Sequence, residues 1–142
     1  MQISTKITTI AEMEELGRAI STRLAVGDLV ILRGELAAGK TALVRGIGAG
    51  LGIKEQISSP TFVIARRHHG PVPLTHVDLY RLLDHHNLSN EVSDLDLEAD
   101  LITGVVVVEW GDVQFFEEPR LVVDIAITSA DGRDVTLDWR DR

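Results

Sequence analysis

The sequence predicts an α/β fold in three layers: a largely parallel sheet between helices, finished by an antiparallel hairpin. Three observations predict it. Residues 34–41 read Gly-Glu-Leu-Ala-Ala-Gly-Lys-Thr, the pattern of a glycine loop set between a strand and the N-terminus of a helix. Val105–Val108 is a continuous β-branched run, as expected of a strand buried on both faces. The tail from Leu121 to Trp139 alternates apolar and polar residues on both sides of Asp131-Gly132, the pattern of a hairpin.

The elements follow in order. Residues 2–8 alternate weakly and predict a first strand. Between Ile10 and Leu24 the apolar side chains fall at Ile10, Met13, Leu16, Ile20 and Leu24. That spacing makes an amphipathic helix whose other face carries Glu12, Glu14, Glu15 and Arg18. Gly27-Asp28 ends it and opens the apolar run 29–32, which feeds the glycine loop. Behind the loop, Leu43, Ile47 and Leu51 recur at helical spacing with Val44 beside them, one face of a second helix. Residues 61–67 and 72–78 predict two strands joined by a turn at His68-His-Gly-Pro71. From Arg81 to Asp100 the chain is acidic and polar, with partial helical character. No repeat, low-complexity tract or linker interrupts the 142 residues, so one domain spanning 1–142 is expected, large enough to bury a core.

Composition narrows the function classes. No cysteine is present, which excludes disulfides and thiolate metal sites and fits a reducing compartment. Met1–Lys6 lacks the apolar core of a signal peptide. The longest strongly apolar run, Val105–Val108, is far too short to span a bilayer. A cytoplasmic protein without membrane contact is expected. The formal net charge is −8, and the basic residues are scattered apart from Arg66-Arg67. Tight direct binding of nucleic acid needs a basic surface, so a role near RNA would run through another protein.

The glycine loop carries the chemistry. Gly34 and Gly39 let the backbone wrap a polyphosphate with its amides pointing inward. Lys40, expected to be exposed without ligand, supplies a cation to the β- and γ-phosphates, and Thr41 offers a hydroxyl to Mg²⁺. The helix N-terminus beneath adds its partial positive charge. Leu36, Ala37, Ala38, Gly39, Lys40, Thr41 and Ala42 are thus the candidate nucleotide-binding residues of a P-loop NTPase-like sandwich.

Three further segments hold candidates. Glu109 ends the Val105–Val108 strand, where such folds hold Mg²⁺ or orient a water; a solvated loop glutamate is the alternative. Asp78, in His76-Val-Asp78-Leu-Tyr80-Arg81-Leu82, also follows an apolar strand and is placed to align a water or accept its proton. A structural pair with Arg81 is the alternative. His76 reads as a satisfied sheet histidine, and His68, His69, His85 and His86 as loop residues without zinc spacing. Ser58-Ser-Pro60-Thr61-Phe62 is either a plain turn into a strand or a hydroxyl-bearing switch for the γ-phosphate.

In this order, the segments resemble the TsaE (YjeE) family of small P-loop ATPases of tRNA threonylcarbamoyladenosine biosynthesis. The resemblance rests on the loop followed by Leu43-Val-Arg-Gly46, then Ser59-Pro-Thr-Phe62, His76 to Leu82, Val108-Glu-Trp-Gly111 and the looser Gly132-Arg133. It implies an ATPase that assists two partners, TsaB and TsaD, as they place a threonylcarbamoyl group on adenosine 37 of tRNA. ATP hydrolysis would reset that pair between turnovers, and tRNA would be met only through it. By the same resemblance Thr41 and Glu109 would bind magnesium and Asp78 would serve hydrolysis. Thr61 would belong to the switch, and Trp110 and Arg133 would lie beside the nucleotide. Catalysis is thereby expected of Asp78, Thr61 and Lys40, with ATP and Mg²⁺ as cofactors.

Two positions depart from the family pattern. Ala37 stands where glycine is usual, so a methyl group opposes a positive φ there. Ala42 replaces a second threonine and removes a hydroxyl from the phosphate site, a loss of about 0.5–1.5 kcal/mol. A small-molecule kinase is the alternative enzyme, although the acidic region 83–100 lacks the basic residues of a phosphate lid. A nucleotide-binding module without turnover is the other alternative.

Overall fold

The computed structural model describes residues 2–35, 37–57, 65–79, 96–110 and 118–141. Its elements are β1 (Gln2–Ile7), α1 (Ile10–Ser21), β2 (Leu29–Gly34), α2 (Lys40–Gly50), β3 (Ala65–His68), β4 (Leu74–Asp78), α3 (Leu97–Thr103), β5 (Val105–Glu109), β6 (Leu121–Ile127) and β7 (Arg133–Trp139). The strands form one sheet in the order β1-β7-β6-β2-β5-β4-β3. Its middle is parallel, through the pairs β4–β5, β5–β2 and β2–β6. The edges are antiparallel, with β7 and β1 added beyond β6 and β3 beyond β4.

The period of two along each strand sorts side chains onto two faces. Val30 and Leu32 of β2, Val105 and Val107 of β5, and Leu121 and Val123 of β6 pack with Met13 and Ile20 of α1 and Leu43, Val44 and Ile47 of α2. The intervening Leu29, Ile31, Val106, Val108 and Val122 face the other way, onto Leu97 and Leu101 of α3. The result is three layers, helices on either side of the sheet. All four valines of β5 are buried, each contributing about 1.5–3 kcal/mol of hydrophobic stabilisation. Two-sided burial explains why this strand reads as a run and not as an alternation.

α1 and α2 cross at glycine. A β-carbon on Gly17 would strike the Leu43 carbonyl, and one on Gly46 the Glu14 carbonyl, so only bare backbone allows this approach. Thr9 caps α1, its hydroxyl accepting from the Glu12 amide at 3.0 Å. The helix ends at Ser21, earlier than the Ile10–Leu24 periodicity predicts. Arg23 and Leu24 instead bond three residues back, to Ile20 and Ser21, which tightens the last turn while Leu24 still packs on the core. Ile10 does not join the core face; it is 68% exposed.

Of the predicted strands at 61–67 and 72–78, β3 spans Ala65–His68 and β4 spans Leu74–Asp78, so residues 72 and 73 precede the strand; residues 61–64 lie outside the described residues. His68, expected in a polar loop, is the buried end of β3, its Nδ1 3.3 Å from Glu55 Oε2. Of the acidic region, residues 80–95 are outside the description, and its last part forms α3. Among the described residues no helix is long and apolar enough to cross a membrane.

Candidate functional site

The parallel register brings the site together. Glu109 of β5 pairs with Leu32 of β2 on one side and with Asp78 of β4 on the other. The carboxyl ends of three strands therefore form one edge, where open α/β sheets place their ligands. β2 runs from this edge into residues 35–39, and the backbone turns into α2 through Gly39 at φ 106, a left-handed conformation that glycine adopts freely. A pocket of about 650 Å³ opens here, lined by Ala37 to Ala42, Asp78, Glu109, Trp110 and Arg133.

Lys40 is buried, contrary to its expected exposure. Its Nζ donates to the carbonyls of Gly34 at 2.6 Å and Glu35 at 2.8 Å, and it lies 3.9 Å from the centre of the Trp110 ring, a cation–π distance. Burial pulls the ammonium below the ordinary lysine range, opposed by the negative charges of Glu109 and Asp78. The loop's own carbonyls hold the cation at its centre. Thr41 is half-buried in the first turn of α2.

Glu109 is no solvated loop glutamate: it is only 3% exposed, and its Oε2 meets Nε2 of His76. Asp78 is half-buried beside it, and both contribute to the pocket wall. Trp110 follows with φ 64, an uncommon backbone for a bulky residue, its amide tied to the Leu32 carbonyl at 3.1 Å. Among the described residues no cluster of three or more His, Cys, Asp or Glu can hold a metal. Mg²⁺ is ordinarily held by one or two carboxylates plus substrate phosphates, so the sparse donor set of Thr41 and Glu109 fits magnesium arriving with a nucleotide.

Arg133 reaches the loop from the start of β7. Its Nε donates to the Ala38 carbonyl at 3.1 Å and its Nη2 to that of Ala37 at 3.2 Å. Nη1 holds the Ser129 and Gly132 carbonyls of the β6–β7 turn. Ala37 has φ 64, the very conformation its methyl group opposes. The Ala42 methyl is buried in the core cluster and also lines the pocket. Leu36 and Thr61 lie outside the described residues.

Sequence reasoning passed over several pocket residues. Thr8, Thr9, Ile10 and Met13 at the β1–α1 junction, Arg45 of α2 and Asp131 all line the wall. The Thr9-x-x-Glu12 spacing signals a helix start but nothing about a ligand, and only the sheet order brings that start to the loop. Arg45 sits 3.5 Å from Glu14 across the helix crossing.

Strand, glycine loop and helix, with a buried lysine and two acidic strand ends, define a P-loop NTPase-like domain. The family model described as "Threonylcarbamoyl adenosine biosynthesis protein TsaE" matches residues 7–135. The chain is 49% identical over 138 residues to the tRNA threonylcarbamoyladenosine biosynthesis protein TsaE of Streptomyces coelicolor, covering 88% of each chain. It is 41% identical over 133 residues to the protein of the same name from Mycobacterium bovis, covering 87% of this chain and 79% of that one. The crystal structure of Bacillus subtilis YdiB superposes with a TM-score of 0.74 at 27% identity, over 96% of this chain and 84% of that one. The chain belongs to the TsaE family.

Proposed function

We propose that the chain binds Mg²⁺-ATP in this pocket and hydrolyses it, as a cytoplasmic accessory subunit of the machinery that installs threonylcarbamoyl groups on tRNA adenosine 37. The observation that carries the reading is the meeting of Lys40, Thr41, Asp78 and Glu109 around one pocket at the carboxyl edge of the sheet. Lys40 leaves the loop carbonyls for the β- and γ-phosphates, a stronger acceptor for an ammonium. Loop amides from Ala37 to Ala42 take the remaining phosphate oxygens. Thr41 and Glu109 hold Mg²⁺, which neutralises charge developing on the phosphates. Asp78, beside Glu109, orients the attacking water and accepts its proton. Thr61 belongs to the segment that responds to the γ-phosphate.

Among the described residues, the arginines that line the pocket are engaged elsewhere: Arg133 on the loop carbonyls and Arg45 near Glu14. Charge on the transferred phosphoryl group therefore waits for a partner to complete the site. Homologues of TsaB and TsaD are the proposed partners, and hydrolysis resets their complex between turnovers. The net charge of −8 agrees with a subunit that meets tRNA only through them.

The test measures phosphate release from ATP by the chain alone and with the partner pair and tRNA, for the wild type and Lys40→Ala. Feeble turnover alone and at least about a tenfold rise with the pair, ~1.4 kcal/mol of transition-state stabilisation, are expected, and Lys40→Ala should lose nucleotide binding. Nucleotide binding without phosphate release in the full assembly would instead establish a binding module, and acceptor-dependent phosphoryl transfer a kinase. ATP affinity retained in a folded Lys40→Ala chain would remove the site assignment.

A further inference from the structure

A carboxylate as deeply set as that of Glu109 needs a hydrogen-bond donor, because burying an unpartnered charge costs several kcal/mol or more, of order that for losing its hydration. The donor is on the next strand. β4 alternates so that Val77 and Leu79 face the α3 layer, which turns His76 and Asp78 toward the side of Glu109. In the β4–β5 ladder His76 pairs with Val107 and Asp78 with Glu109, so His76 meets Glu109 on the diagonal. His76 is fully buried, and its Nδ1 has no hydrogen-bond partner among the described residues. Against an ionised carboxylate, which only accepts, an imidazole with its proton on Nε2 is the donor to Glu109 Oε2. The contact engages Oε2 of the carboxylate.

We propose that His76 is a positioning residue for Glu109, holding its carboxylate in one orientation at the pocket wall so that magnesium meets a preset ligand. This rests on the proposed role of Glu109 in binding Mg²⁺. A tightly packed imidazole donating to a carboxylate ligand does what outer-shell partners do at metal sites: it fixes the ligand's rotamer before the metal arrives. Asp78, half-buried and on the same strand face, lines the same pocket. β4 would thus serve the site twice, through residues two apart.

The experiment titrates ADP into the full-length chain with Mg²⁺ and again with EDTA, for the wild type, His76→Leu, His76→Asn and His76→Gln. A glutamine amide nitrogen falls near the position of Nε2, whereas an asparagine nitrogen falls near Nδ1. The expected result is a Mg²⁺-dependent gain in affinity that shrinks about ten- to a hundredfold in His76→Leu and His76→Asn. His76→Gln should retain most of it, and metal-free affinity should change little in any variant. If His76→Leu does not fold, the Asn and Gln variants carry the comparison. A full Mg²⁺-dependent gain in both His76→Leu and His76→Asn, or equal gains in the Asn and Gln variants, would overturn the proposal while leaving the nucleotide site standing. A wild type without any such gain would overturn the magnesium role of Glu109 and the proposal together.

Discussion

Replacing Arg133 by methionine cuts the link between the β6–β7 turn and the phosphate loop. Four hydrogen bonds from the guanidinium disappear, two to the loop carbonyls of Ala37 and Ala38 and two within the turn, to those of Ser129 and Gly132. Bonds to a charged donor are worth about 1.5–3 kcal/mol each when protected from water; at this partly exposed site water returns much of that, leaving about 1.5 kcal/mol for the two loop bonds. The loss falls on a strained loop, because Ala37 holds φ 64 at a cost of about 1–2 kcal/mol for a residue with a β-carbon. Without Arg133 the free loop relaxes away from that conformation, and nucleotide binding must restore it. The expected result is about a tenfold weaker ADP affinity, ~1.4 kcal/mol. Ala37→Gly supplies the check. In the wild type the loop is already held, so glycine should change affinity little. In the Arg133→Met background it removes the strain and should recover most of the loss, a coupling of about 1 kcal/mol. Calorimetric titration of the four chains measures all terms. Wild-type affinity in Arg133→Met, or the same effect of Ala37→Gly in both backgrounds, would refute the argument that Arg133 holds Ala37.

Gly46→Ala should destabilise the fold by about 1–3 kcal/mol, since the new methyl group strikes the Glu14 backbone, which cannot swing aside as a side chain would; a thermal melt unchanged from the wild type would refute the close crossing. The Arg67–Asp100 pair, 2.7 Å apart, ties β3 to α3. Arg67's hydrogen bonds hold the Asp100 carboxyl below the ordinary aspartate range, against a smaller opposing effect of burial. Its stabilisation is therefore present above the unfolded-state pKa and is lost as pH falls through the lower folded-state value. Asp100→Asn should cost up to about 1 kcal/mol at neutral pH, a difference that closes in acid; urea titrations showing the same gap at both pH values would contradict it.

Much of the fold is legible in the chain because its signals are local. The glycine loop, the α2 periodicity and the β5 run each follow from sterics and hydrophobic spacing within a dozen residues. The Asp131-Gly132 turn likewise specified the β6–β7 hairpin. The end of α1 was not legible, because tight turns after Ser21 keep Leu24 on the core without continuing the helix. Ile10 fits the helical pattern yet remains exposed, since position at a helix start puts it at the pocket mouth and not over the sheet.

For the site, the sequence by itself determined the residue types: a lysine and threonine after a glycine loop, and carboxylates at the tips of two apolar strands. Only the tertiary structure decided who meets whom. The parallel register set Asp78 against Glu109 and brought His76 within reach of the same carboxylate. Insertion of β6 between β2 and β7 carried Arg133 to loop residues far from it in sequence. Burial of Lys40 against Gly34, Glu35 and Trp110 depends on the same edge. Local periodicity encodes which face a side chain takes, but the pairing of distant strands is fixed by packing summed over the whole core, and no short window of sequence contains that sum.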